Sequence, residues 1–410
     1  MENSLRQETR RAASKNGTAP LASIPYGRHW LDDADVRAVN AVLASDWLTQ
    51  GHVVPAFEEA VAMACGTRYA VAFSSGTAAL HGACFAAGVS DGQEVIVPPI
   101  TFAATANSVR YCGAWPVFAD VDDSTVTLDP WAVGRAITPR TKAIMAVDFA
   151  GHPCRMHEFK QLADRHGLIL IEDAAHALGA TYDGRRVGQL ADMTTFSFHP
   201  VKVLTTGEGG MVVTDRKDLY QRLQLFRNHG ITRDPWLLRT SNPAPWFYEQ
   251  QELGYNYRLT DIQAALGLSQ LERLSHFIAR RRAIAARYQA SLSDLGGIRL
   301  PAEREWAGSA WHLFVVRLNL PLLRKTRRDV FEELRARGIG VQVHYIPVYA
   351  HPYYQRFQRY QRCFTTCPRA ERFYAESISL PLFPKMADED IERVIGVVRE
   401  VMHEASRDRD

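Results

Sequence analysis

A single lysine, Lys202, interrupts the stretch FSFHPVKVLTTGEGGMVVTD (196–215), between an aromatic run and a glycine-rich turn. An ammonium group is strongly hydrated and is rarely buried without a partner, so a lysine drawn inward usually lends its amine to chemistry. A second stretch, LILIEDAAH, is apolar until Glu172 and Asp173, and His176 follows three residues later. Each feature alone also has an ordinary reading, a solvated lysine on a loop or an aspartate that caps a turn. If both stretches end in one crevice, however, one acid and one amine converge on a single ligand. A lysine that holds an aldehyde as a Schiff base, with an acid opposite a ring nitrogen, uses this pair, and pyridoxal phosphate is the cofactor with that chemistry.

A phosphate needs a seat of its own. FSSGTAALHGACFAAG offers small residues at Ser74–Thr77 followed by a helical pattern, and free backbone amides at a helix start bind anions. Gly76 permits close approach of the chain and Thr77 adds a hydroxyl. In PPITFAATANSV, Phe102 stands just past an apolar run, where its ring could stack on a planar cofactor or simply join the core. The occurrence of these features together, in this order, carries the cofactor reading.

The elements that must position them are short apolar runs separated by turns or helical stretches: RYAVAFSSG, EVIVPP, WPVFADVD, AIMAVDFAG, LILIEDAAH, MTTFSFHP and GGMVVTD. Their hydrophobicity is continuous rather than alternating, which predicts a largely parallel sheet covered on both faces by helices. Ligands in such α/β folds gather at the carboxyl ends of the strands. LDDADVRAVNAVLASDW predicts a helix ahead of this region, its acidic start suited to the positive helix end. YNYRLTDIQAALGLSQLERLSHFIARRRAIAARYQASL predicts a long connecting helix, followed by an α+β region with AWHLFVVRL and GIGVQVHYIPV. The expected organisation is a disordered tail over 1–24, a large domain over 25–275 and a smaller C-terminal domain over 276–410.

Bulk properties agree with small-molecule chemistry. The 410 residues carry a net charge of only +3 and 46% hydrophobic residues, with no basic patch to argue for nucleic acid as a partner. Six cysteines without a CxxC pair argue against a disulfide framework or a zinc ribbon and fit a reducing cytoplasm. The polar first two dozen residues contain no apolar segment that would read as a signal peptide or a membrane span. His152, Cys154 and His157 in GHPCRMHEF match no metal-ligand spacing, so no metal is expected.

SSGTAAL, ITFAATANSV, IEDAAHALGA, FSFHPVKVLTTGEGG and GYNYRLTDIQAALGLSQL together resemble the motifs of the DegT-type nucleotide-sugar aminotransferases, fold-type I pyridoxal phosphate enzymes; the resemblance spans roughly residues 24–400. It implies a mostly parallel seven-stranded sheet in the large domain and a smaller α+β domain. It also implies that Lys202 is the Schiff-base lysine, Asp173 the partner of the pyridine nitrogen and His176 a neighbour of the ring's phenolic oxygen. Phe102 would stack on the ring, and Gly76, Thr77 and Ser197 would hold the phosphate. Asn256 would reach the phosphate from the other subunit of a homodimer, and Arg258 would touch substrate from the same side. IPYGRHWL, LTQGHVVPAFEEAV, NHGITRDP, PWFYEQQELGYNYRLTD and VQVHYIPVYAHPYY are most similar to the branch of the pseudaminic acid pathway. That branch transfers the amino group of L-glutamate, which leaves as 2-oxoglutarate, to a UDP-linked 4-keto-6-deoxy N-acetylhexose. Thr49, His344 and Tyr345 are the expected contacts to the variable part of the substrate. His52, Ile100 and Asp148 depart from the family pattern, which usually has proline, a polar residue and histidine there.

Two other functions share these features. A sugar dehydratase on the same scaffold carries histidine in place of the Schiff-base lysine, and the presence of Lys202 speaks against it. A cofactor-binding regulator would show a DNA-reading helix with a basic face, and the sequence shows none.

Overall fold

The computed structural model describes residues 23–241, 243–357 and 366–406. The expected tail lies outside the described residues up to residue 22, as does Cys363 of the CFTTC stretch. The seven predicted apolar runs become β1 (Tyr69–Phe73), β2 (Glu94–Val97), β3 (Trp115–Phe118), β4 (Thr141–Val147), β5 (Ile169–Asp173), β6 (Met193–Ser197) and β7 (Gly210–Thr214). They form one sheet in the order β1-β7-β6-β5-β4-β2-β3. The pairs β6/β5, β5/β4, β4/β2 and β2/β3 are parallel, whereas β7 runs antiparallel to both of its neighbours. Strands β2, β6 and β7 are buried almost throughout, as continuous apolar runs covered on both faces must be.

The helices that cover and flank the sheet are α1 (Asp33–Leu43), α2 (Val53–Cys65), α3 (Gly76–Ala86), α4 (Ala104–Tyr111), α5 (Met156–His166), α6 (Lys217–Arg227), α7 (Asp261–Glu272) and α8 (Leu274–Leu292). The acidic start of α1 works through a capping box, in which Asp32 accepts from the amides of Ala34 and Asp35 while the Asp35 carboxylate accepts from the Asp32 amide. Residues from α3, α4 and α6 share one buried cluster on the sheet, and residues from α5 share another with β2, β4 and β5.

The predicted long connecting helix is two helices, α7 and α8, broken at Arg273. No proline or glycine causes the break. Arg273 leaves the helical conformation, its amide turns back to Gln270 and Leu271, and its guanidinium pairs with Asp32 at 2.7 Å and Asp35 at 2.5 Å on α1. That tertiary contact lies over 230 residues away along the chain and is invisible to helical periodicity.

Beyond α8 a second core forms. Strands β8 (Ile298–Arg299), β9 (Phe314–Leu318) and β10 (Ser377–Leu380) make an antiparallel sheet, and α9 (Arg327–Ala336) and α10 (Asp388–Ala405) pack with it around Tyr288, Phe314 and Ile378. AWHLFVVRL supplies β9. GIGVQVHYIPV does not form a strand: it runs as extended chain with single bridges from Ile339 to Ile24 and from Gln342 to Ser379, which leaves His344 and Tyr345 free to reach the first sheet. No helix among the described residues is long and apolar enough to cross a membrane.

Candidate active site

Asp173 is the last residue of β5, placed by register beside Val147 of β4 and Thr195 of β6. Because successive strand residues face opposite ways, Asp173 and its neighbour Glu172 point to opposite sides of the sheet. On one side, Asp173 Oδ2 accepts from Thr105 Oγ1 at 2.7 Å, and Oδ1 from the Ala175 amide at 3.2 Å. Thr101 in turn meets Thr105 at 2.7 Å. On the other side, Glu172 accepts from Thr194 Oγ1 at 2.8 Å, and burial raises its pKa to about 7. Asp148, one of the departures from the family pattern, accepts from the Cys154 amide at 2.9 Å; burial and the nearby Glu172 hold its carboxyl well above the usual range.

Lys202 lies in the irregular turn between β6 and β7. The turn is closed by the Lys202 amide on the His199 carbonyl at 2.9 Å, the Thr206 amide on Phe198 O at 3.0 Å, and the Phe198 amide on Gly209 O at 2.9 Å. Burial lowers the lysine's pKa to about 8, and the charge of Asp173 opposes that shift. Asp173 moves the other way, raised by burial against the pull of Thr105, the Ala175 amide and Lys202. Burial thus disfavours the charged form of both groups, while their opposite charges support each other.

Helix α3 starts against the end of β6. Ser75 caps it, accepting from the Ala78 amide at 3.1 Å, so the amides of Gly76 and Thr77 are directed outward at the positive helix end. A Cβ on Gly76 would stand 2.8 Å from Ser197 Cβ and 2.9 Å from Ser197 Oγ. Only glycine lets the helix start and the strand end approach this closely.

These residues face one cavity of about 630 Å³. Lys202, Asp173, His176, Gly76, Thr77, Phe102, Ser197, His344 and Tyr345, all named from sequence, line it. The last two come from the extended chain of the second core: the Tyr345 hydroxyl lies 3.3 Å from His176 Nε2, and His344 Nδ1 lies 2.7 Å from Ser379 Oγ. Burial lowers the His344 pKa to about 4, with Lys202 adding to the shift. Phe102 is 62% exposed and tilts toward Tyr345 with ring centres 6.2 Å apart, so its ring stands at the mouth of the cavity rather than in the core.

Thr49, Asn256 and Arg258 do not line this cavity. Thr49 is exposed on the turn between α1 and α2. Asn256 is exposed and bridges to Asn228, whose side-chain oxygen accepts from Arg258 Nη1 at 2.6 Å. The segment that carries them is nevertheless tied to the cavity wall, because the Ser74 amide donates to the Tyr257 carbonyl at 2.7 Å. His152 and Cys154 are occupied locally: His152 Nε2 accepts from the Arg304 amide and Cys154 donates to the Val147 carbonyl.

Sequence reading missed Thr105, the direct support of Asp173, although its spacing of four from Thr101 in ITFAAT was a helical-face signal. It also missed Tyr26, Gln342 and Glu208 on the cavity wall and His312 behind it. His312 gave no local signal, since AWHLFVV reads only as a buried strand.

The cavity fits pyridoxal phosphate. It offers an amine with a lowered pKa, a buried carboxylate facing that amine, an anion seat that a Cβ at Gly76 would close, and a buried imidazole, His176, whose Nδ1 lacks a partner.

Comparison with known proteins agrees with this geometry. A family model described as the DegT/DnrJ/EryC1/StrS aminotransferase family matches residues 30–399. The spore coat polysaccharide biosynthesis protein SpsC of Bacillus subtilis is 40% identical over 380 residues, which cover 92% of this chain and 97% of that protein. The structure of Helicobacter pylori PseC, an aminotransferase involved in the biosynthesis of pseudoaminic acid, superposes with a TM-score of 0.86 at 33% identity, covering 93% of this chain and all of PseC. DesI, solved in the presence of its TDP-sugar product, superposes with a TM-score of 0.84 at 35% identity, covering 94% of this chain and 95% of DesI.

Proposed function

The chain belongs to the DegT/DnrJ/EryC1/StrS aminotransferase family of pyridoxal phosphate enzymes that aminate nucleotide-linked keto sugars, and from that premise we propose that it transfers the amino group of L-glutamate to a UDP-linked 4-keto-6-deoxy N-acetylhexose. The observation that carries the reading is a half-buried lysine and a buried carboxylate converging on one cavity that also holds a helix-start anion seat.

Lys202, Asp173, His176, Phe102, Gly76, Thr77 and Ser197 would hold the cofactor. When bound, pyridoxal phosphate supplies an aldehyde that exchanges its oxygen for an amino group and a ring that withdraws electrons. Lys202 Nζ would be the base that removes the proton from the donor's alpha carbon. In the second half-reaction it returns a proton at the sugar carbon that bore the keto oxygen. A pKa of about 8 suits both directions near neutral pH. Asp173 presents fixed negative charge to a ring nitrogen, and Thr105 holds that carboxylate in place. The amides at the start of α3 take the phosphate.

Asn256, exposed, and Arg258, half-buried, both outside their own chain's cavity, would complete the site of a second copy in a homodimer. Thr49, His344 and Tyr345 would meet the sugar nucleotide. The UDP-linked acceptor is favoured by the runs around 24–61 and 341–354 and by the likeness to PseC; a TDP-linked keto sugar is the second reading, favoured by the likeness to DesI.

The test is a panel of UDP- and dTDP-linked 4-keto sugars assayed for glutamate-dependent amination, with product stereochemistry read by NMR. The expected result is preference for the UDP-linked N-acetylhexose and an L-altro product. Preference for a dTDP sugar or a 3-keto sugar overturns the choice of acceptor. Lys202→Ala should abolish turnover on every substrate of the panel, and unchanged turnover would sink the catalytic assignment.

A further inference from the structure

His176 sits between two side chains that come from the chain beyond α8. Its Nε2 lies 3.3 Å from the Tyr345 hydroxyl, and the His312 ring stands against it with centres 4.3 Å apart and planes tilted by 39°. Both imidazoles are buried, and each has an Nδ1 without a hydrogen-bond partner.

Three contacts fix the segment that carries His312. Its amide donates to the Ala150 carbonyl at 2.8 Å, and its own carbonyl accepts from Arg281 Nη1 at 3.1 Å. The same Nη1 reaches the carbonyls of Trp311 at 3.3 Å and Leu382 at 3.1 Å. Arg281 is only 1% exposed and forms no ion pair among the described residues. Its charge is met by carbonyl dipoles alone, so it projects a positive field onto the imidazoles nearby. Lys202, His344 and Arg281 act on His176 by charge, and His312 and Tyr345 touch it. Asp173, the carboxylate on the same cavity, acts on Lys202 and Tyr345.

An imidazole in such surroundings stays neutral and carries one proton. Placed on Nδ1, that proton would be a buried donor without an acceptor; placed on Nε2, it meets the Tyr345 oxygen. A bare acceptor is the less costly orphan. Tyr345, accepting from His176, then keeps its own hydroxyl hydrogen for another partner.

We propose that His312 and Arg281 are positioning residues that hold His176 as a neutral imidazole protonated on Nε2, and thereby make the Tyr345 hydroxyl a hydrogen-bond donor aimed into the cavity. Burial, followed by the charges of Lys202, His344 and Arg281, holds His176 well below the usual imidazole range. Contact with the tilted His312 ring keeps the His176 ring from turning Nε2 away from Tyr345. The inference rests on the reading that this cavity is the reacting site.

NMR of the full chain free of cofactor, with ¹⁵N-labelled histidine, reads the tautomer that the surrounding side chains impose, and spectra of His176→Asn and His312→Ala assign the two signals. His176 should be neutral, with its proton on Nε2, even somewhat below about pH 6.5, the ordinary imidazole midpoint. His312→Ala leaves the carbonyl held by Arg281 in place but removes the ring. It should mix the His176 tautomers and lower kcat on the order of 10–100-fold with little change in KM, while His312→Phe, which restores a ring, should recover most of that loss. Arg281→Met should raise the His176 midpoint; if that variant does not fold, the His312 pair decides the matter. A His176 cation, or a proton on Nδ1, in the wild type overturns the proposal. So does a His312→Ala variant with the wild-type tautomer and kcat. Because the tautomer is read without substrate, its failure is distinct from failure of the proposed reaction, which Lys202→Ala and the sugar panel address.

Discussion

Lys202 is a half-buried amine whose pKa is lowered by desolvation, and this has a measurable consequence in the cofactor-free protein. Burial lowers its pKa from 10.5 to about 8. Between those values the unfolded chain binds a proton that the folded chain does not, so this group makes stability rise with pH across that window. Below about pH 8 both states are protonated and its contribution is flat. Thermal melts of the cofactor-free protein from pH 7.5 to 10 should therefore show the wild type gaining on Lys202→Met by about 1–2 °C or more as pH climbs. Parallel melting curves for the two proteins would mean that Lys202 is solvated when the site is empty. At this scale the sequence was informative: a lysine between a buried strand and a glycine turn, and an acid at the end of an apolar run, were legible because each is a local anomaly. Thr105 was not read, since its hydrogen bond to Asp173 spans 68 residues and only the fold brings the two together.

The elements act through where they end. Helix α3 begins where β6 finishes, and the contact is so close that any side chain at position 76 must displace one of them. Gly76→Ala places a methyl 2.8 Å from Ser197 Cβ and 3.3 Å from its Cα, the latter being backbone that cannot swing aside. The helix start should move off the strand and carry its amides away from the phosphate. Cofactor affinity, measured by equilibrium dialysis, should fall about tenfold or more, which corresponds to about 1.4 kcal/mol. Wild-type affinity in this variant would show that the phosphate is held elsewhere. All seven strands of the large sheet were legible because runs buried on both faces carry a continuous apolar pattern. The break between α7 and α8 was not, because it is set by the pairing of Arg273 with Asp32 and Asp35 rather than by any helix-breaking residue.

At the scale of the whole molecule, the segment 255–258 holds the argument for a shared site. It is bonded through Tyr257 to Ser74, next to the cavity wall, yet neither Asn256 nor Arg258 lines the cavity. If they complete a neighbour's site, Lys202→Ala subunits and Asn256→Ala/Arg258→Ala subunits should each be inactive as pure dimers. Mixed under conditions of subunit exchange, they should recover activity, approaching a quarter of wild type when mixed equally, because one of the two sites in a heterodimer is intact. No recovery despite exchange confirmed by mass would place the whole site in one chain. The class of chemistry and the succession of strands along the chain were legible in the sequence, because both are written in short contiguous runs; the order in which those strands pair, with β7 antiparallel to both neighbours, was not. Tertiary structure alone decided which of the expected residues share a cavity, that Thr105 supports Asp173, and that Arg281 and His312 stand behind His176. Those contacts join two cores built from distant parts of the chain, and local pattern has no means of encoding a distance between them.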